Sequence, residues 1–169
     1  MPIIVSYGVS NQSINNIEQR FSVILPADYI AFLREHNGLF IGDGSYCTLP
    51  FRKVDNLEID FQELYGIGLN NPTLDLINAN SISDEVGLLD NPFVIGADPG
   101  GNPFIINGNG YDEVVYYWDR THLHNATHCD YHEVNEEGNL YKAFDTFSEF
   151  YNIIMNTVGG DSALKEKQL

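Results

Sequence analysis

Toward the end of the chain, Phe147, Phe150, Tyr151, Ile154 and Val158 recur three and four residues apart, the spacing that lines one face of an α-helix. Thr146 and Glu149 stand in front as a capping box, and Gly159-Gly160 follows as a stop, so the pattern predicts a helix over residues 147–158. A weaker stripe of Ile14, Ile17 and Phe21 predicts a helix over 13–21. Pro26-Ala27-Asp28 opens another, since proline suits the first helical turn and an acid there suits the dipole. Tyr29, Phe32, Leu33 and His36 carry that stripe to a stop expected at Asn37-Gly38.

The middle of the chain changes period. Residues 45–50 and 56–61 read as short extended segments, and Pro72 followed by Leu74, Leu76, Ile77 and Ala79 predicts a third helix ending near Ile82. Phe93-Val94-Ile95 and Phe104-Ile105-Ile106 are β-rich runs separated by a stretch dense in Gly, Pro, Asp and Asn, which predicts an antiparallel hairpin. Asn107-Gly108-Asn109-Gly110 is a second turn, returning into a strand over 113–118 and completing a three-stranded meander. No repeat of solenoid period occurs. The expectation is one α+β domain over residues 1–158, a mainly antiparallel sheet flanked by N-terminal helices and a C-terminal amphipathic helix, with a polar, frayed tail over 159–169.

Composition supports a folded, water-soluble chain: of 169 residues, 43% are hydrophobic and 12% aromatic. The first residues lack a basic n-region, and no apolar run approaches the ~20 residues of a membrane helix, so a cytoplasmic protein is expected. Cys47 and Cys129 lie far apart with no C-x-x-C and read as reduced thiols.

Charge changes the picture most. The formal net charge is −16, which excludes direct binding to nucleic acid or an anionic membrane, because phosphate binding depends on Lys and Arg. Between Asp55 and Asp119 there are twelve acids and no Lys or Arg. Such a stretch can steer a basic partner, and Asp98, Asp112, Glu113 and Asp119, carried by the meander, are expected to line the partner-facing rim.

Candidate chemistry is sparse. His122, His124, His128, Cys129 and His132 are zinc-competent ligand types, with Asp119 or Asp130 as further donors, and would support a metal-dependent hydrolase. Their spacing matches no structural-zinc or metalloprotease frame. Asp98-Pro99-Gly100-Gly101-Asn102 opens like a calcium loop, but its twelfth position is Asn109 rather than an acid. There is no G-x-S-x-G and no phosphate-binding loop. No catalytic residue, metal or cofactor is assigned.

Taken in order, Leu25-Pro26-x-Asp28-Tyr29-x-x-Phe32-Leu33 running to Asn37-Gly38, Ile95-Gly96-x-Asp98-x-Gly100-Gly101-Asn102, Val115-Tyr116-Tyr117-Trp118-Asp119 and Phe147-x-x-Phe150 resemble the SUKH superfamily, which includes bacterial immunity proteins and fungal cell-wall assembly regulators. The resemblance spans about residues 13–158 and implies an α+β domain that neutralises a toxin, often a nuclease, by direct binding. A regulatory scaffold acting on a host protein is the other role it implies. The motif residues read as scaffold, with Phe32, Trp118 and Phe150 expected in the core. The His-rich segment 122–137 has no counterpart in the pattern.

Overall fold

The computed structural model describes residues 1–81, 89–125, 131–133 and 138–169, with the backbone alone at 131–133. In chain order the elements are β1 (Ile3–Tyr7), α1 (Asn11–Phe21), α2 (Ala27–Glu35), β2 (His36–Ile41), β3 (Cys47–Pro50), β4 (Glu58–Phe61), β5 (Glu63–Leu64), a 3-10 turn at Pro72–Leu74, α3 (Leu76–Ala79), β6 (Pro92–Ala97), β7 (Pro103–Asn107), β8 (Val115–Asp119), β9 (Tyr131–Glu133), β10 (Asn139–Phe144), α4 (Phe147–Val158) and β11 (Leu164–Glu166). The fold is α+β, as the mixed periods predict.

Nine strands form one sheet in the order β11-β1-β2-β5-β6-β7-β8-β10-β9, and β3 and β4 pair as a separate hairpin. Every pairing is antiparallel except β1 with β11. The meander is as expected: β6 pairs with β7 and β7 with β8. All residues of β7 and β8 are buried, so these strands read as continuous apolar runs rather than as an alternation.

Aromatic rings fill the core. Phe150 of α4 meets Phe104 and Phe144 at centroid distances of 4.8 Å and Phe61 at 5.7 Å. Tyr29 and Phe32 of α2 pack on Phe147 at 4.9 and 5.3 Å, which joins the two helices. Phe21 of α1 lies edge-on to Phe93 of β6 at 5.6 Å. Phe32, Trp118 and Phe150 are all buried.

Several local expectations change. The second helix ends at Glu35 and β2 begins at the next residue, so Asn37-Gly38 lies inside a strand. Buried Asn37 is clamped across the fold: its side chain donates to the Ile67 carbonyl at 2.8 Å and accepts the Ile67 N–H at 2.7 Å. The third helix is a 3-10 turn followed by one short α-turn ending at Ala79, and residues 82–88, beyond its expected end, lie outside the described ones. β1, β2, β5, β9, β10 and β11 are strands beyond those the sequence predicts. Within 159–169, Leu164–Glu166 pairs with β1, the Lys167 N–H donates to the Val5 carbonyl and the Asn70 N–H to the Leu169 carbonyl.

Candidate interaction face

The meander has two ends, and the four acids expected on one rim divide between them. Asp98 closes the β6–β7 turn at one end. Its Oδ1 accepts the N–H groups of Gly100 and Asn102 at 2.8 Å, and its Oδ2 accepts the Tyr117 hydroxyl and the Asn102 amide at 2.9 Å. Gly101 completes the turn at φ +83°, a conformation glycine adopts freely. Asn102 continues the network, accepting the Thr121 N–H at 3.1 Å. Asp119 folds the loop after β8 by accepting the N–H groups of Leu123 and His124 at 2.8 Å.

Asp98 and Asp119 are 3% and 0% exposed. Their carboxylates are committed to backbone N–H groups, so neither stands on a surface rim. Asp112 and Glu113 follow the β7–β8 turn at the opposite end, separated from Asp98 by the length of β7, roughly 15 Å at about 3.3 Å per residue. The meander brings Asp98 together with Asp119 and Asp112 together with Glu113, and does not join the pairs.

Around the first end the environment is acidic. Burial raises the Asp60 carboxyl, and Asp98 and Glu58 push it the same way while His124 opposes them. Burial lifts Glu63 to about 7, partly offset by its hydrogen bond with Tyr65. Buried His124 sits with Nδ1 3.5 Å from Asp55 Oδ1, and the Asp55 N–H donates to the Asn125 carbonyl, pinning the His-rich loop to the loop after β3. Among the described residues no three His, Cys, Asp or Glu side chains are grouped to hold a metal. His128, Cys129, Asp130 and the His132 side chain lie outside them, as does Cys129 for the thiol reading. Cys47 is buried and free, its thiol pushed up to about 12 by burial and by Asp60.

The second end carries the feature the sequence reading missed. Tyr111 is 77% exposed and Ile24 is 60% exposed, large apolar side chains held in the open. The Ile24 N–H donates to the Gly108 carbonyl at 2.8 Å, which docks the α1–α2 connection on the β7–β8 turn. A Cβ at Gly110 would stand 3.3 Å from the Ile24 side chain, so turn and isoleucine are in contact beside Tyr111. Three acids stand beside Tyr111, Asp90 across the fold and Asp112 and Glu113 next in the chain. Tyr111 donates its hydroxyl to Asp90 Oδ2 at 3.2 Å, a bond that raises the phenol. Asp112 is fixed by the Tyr116 hydroxyl at 2.7 Å and the Val114 N–H at 3.0 Å, and Glu113 is exposed. An aromatic residue directly after the Gly-Asn-Gly turn and before two acids was the available signal for Tyr111. For Ile24 the signal was an apolar residue between two others, Val23 and Leu25, which are buried where it is not.

An antiparallel sheet with packed helices thus presents two exposed apolar side chains, Ile24 and Tyr111, at the β7–β8 end of its meander, with acids beside Tyr111. The SMI1/KNR4 family (SUKH-1) profile matches residues 8–153, and the chain belongs to that family. The wider superfamily includes toxin-immunity proteins, which bind cognate toxins, and its members are generally immunity or regulatory proteins rather than enzymes. No curated protein matches the chain. Among the described residues no helix is long and apolar enough to cross a membrane.

Proposed function

We propose that this protein neutralises a cognate toxin domain, a basic nuclease, by binding it stoichiometrically in the cytoplasm through the face that carries Ile24, Tyr111, Asp90, Asp112 and Glu113. The observation that carries the reading is that Ile24 and Tyr111 are both exposed at the β7–β8 turn, with Asp90, Asp112 and Glu113 beside Tyr111. Interfaces place aromatic anchors at the centre, where desolvation makes them energetically dominant, and polar groups around them. A nuclease must present Lys and Arg to hold phosphates, and a chain of net charge −16 is complementary in sign. Binding there would occlude the substrate groove without chemistry on the immunity side.

The test begins by capturing the partner from the native source and identifying it, followed by kinetics with the purified pair. A basic nuclease inhibited at one-to-one stoichiometry is expected. Tyr111→Ala should weaken the complex about 30-fold or more, the loss of a hot-spot residue worth ~2 kcal/mol. Asp112→Asn with Glu113→Gln should mainly slow association and flatten its dependence on salt between about 50 and 500 mM. Association that ignores salt, together with full affinity in Tyr111→Ala, would overturn the assignment of this face.

A further inference from the structure

Two concavities away from that face share a wall. One, of about 180 Å³, opens between α2 and α4, with Phe32, Glu35, His36, Phe147 and Tyr151 among its lining. The other, of about 300 Å³, lies beside β11 and is lined by Val5, Glu35, His36, Asp161, Leu164 and Glu166. Because Glu35 and His36 belong to both, the two form one groove running from the start of α4 to β11. Among the described residues no Lys or Arg lines it.

The inner cleft is walled by rings. Tyr151 lies 5.2 Å from Phe32 and 6.1 Å from Phe147 between centroids, the latter pair nearly parallel at 11°. Two buried polar atoms there, Tyr151 Oη and His36 Nδ1, have no hydrogen-bond partner among the described residues. The phenol oxygen has lone pairs and can accept, and the Glu35 carboxylate stands 3.8 Å from His36 Nε2 at the same cleft. The carboxylates of Asp161 and Glu35 both act on the Tyr151 hydroxyl and, with burial as the larger cause, push it up to about 12. The cleft therefore offers acceptors, negative charge and π-faces.

A ligand matching that set carries donors only, a positive charge and a flat face. We infer that the groove is a docking site for an arginine side chain of a protein partner, the guanidinium entering the α2–α4 cleft against Tyr151 and Glu35 while the adjoining segment runs past Asp161 and Glu166. Arginine fits better than lysine because its planar, weakly hydrated head stacks on aromatic rings and presents five donors. The inference does not depend on the partner being a toxin, and it shares no residue with the Ile24–Tyr111 face.

Amide-resolved NMR titration of the full chain with N-acetyl-arginine amide tests it, with N-acetyl-lysine amide as the comparison. Saturable shifts concentrated at Phe32, Glu35, His36, Ser148 and Tyr151, several times larger for the arginine compound, are expected. Glu35→Gln with Asp161→Asn should weaken the response about fivefold, and Tyr151→Phe, which keeps the ring, about twofold, from loss of charge-assisted and neutral acceptors. Asp112→Asn with Glu113→Gln should leave it unchanged. Equal responses to the two cations, or shifts spread over the acidic surface in place of the groove, would overturn it.

Discussion

The Asp28 carboxylate, in the first turn of α2, accepts the backbone N–H of Ser148 at 2.7 Å in the first turn of α4, tying together helices far apart in the chain. Its other oxygen accepts the Tyr29 N–H at 2.9 Å. Thr146 takes the Glu149 N–H at 3.1 Å, so Asp28 satisfies a donor that the local cap leaves over. Asp28→Ala should cost about 1–2 kcal/mol in urea unfolding, the range for loss of a helix cap, and Asp28→Asn less.

Phe150 is fully buried among four rings. Truncation to Ala leaves a cavity that packed neighbours fill only in part, and a loss of about 3–5 kcal/mol is expected from chemical denaturation. A loss under about 1 kcal/mol would mean that α4 presents a different face to the sheet.

Gly101 and Gly100 sit side by side but ask different things of a side chain. At Gly101, φ is +83° and space is open, so Gly101→Ala should cost about 1 kcal/mol through backbone strain alone. A Cβ at Gly100 would stand 3.3 Å from Asp98 Oδ1, which relaxes by a small shift, so Gly100→Ala should cost less. Thermal melts of the two variants give the order.

Glu63 gives stability a dependence on pH. Its carboxyl titrates near 4.5 ordinarily and near 7 when folded, so between those values the folded state holds more protons and stability falls as pH rises. Below pH 4.5 the group is neutral in both states and contributes nothing. Glu63→Gln should therefore match the parent near pH 4 and exceed it at pH 8, by about 1–2 kcal/mol after allowance for partial exposure. A gap that does not change with pH would remove Glu63 as the cause.

Helices were legible wherever a stripe and a cap coincided, as at Thr146 to Val158, and strands wherever both faces were covered, as in β7. What stayed illegible depends on distant partners. The strand at His36 directly after α2 rests on Asn37 reaching Ile67, and β11, three residues with one leucine on the core and two exposed charges, is too short to carry a period of its own. The acids were visible as charge, but nothing local distinguishes Asp98 and Asp119, turned inward onto N–H groups, from Asp112 and Glu113. Which acids reach solvent is decided by loop geometry.

The short parallel partner of β1 has a further consequence for how the molecule behaves in company. Without β11, the main-chain donors and acceptors along one margin of β1 would stand open as a template for another chain. β11 instead presents its own three-residue margin, too short to seed a long ladder, with the exposed Lys165 on it and Lys167 just beyond. A chain trimmed before Leu164 should keep its core and yet self-associate as concentration rises, which size-exclusion chromatography over a dilution series would show.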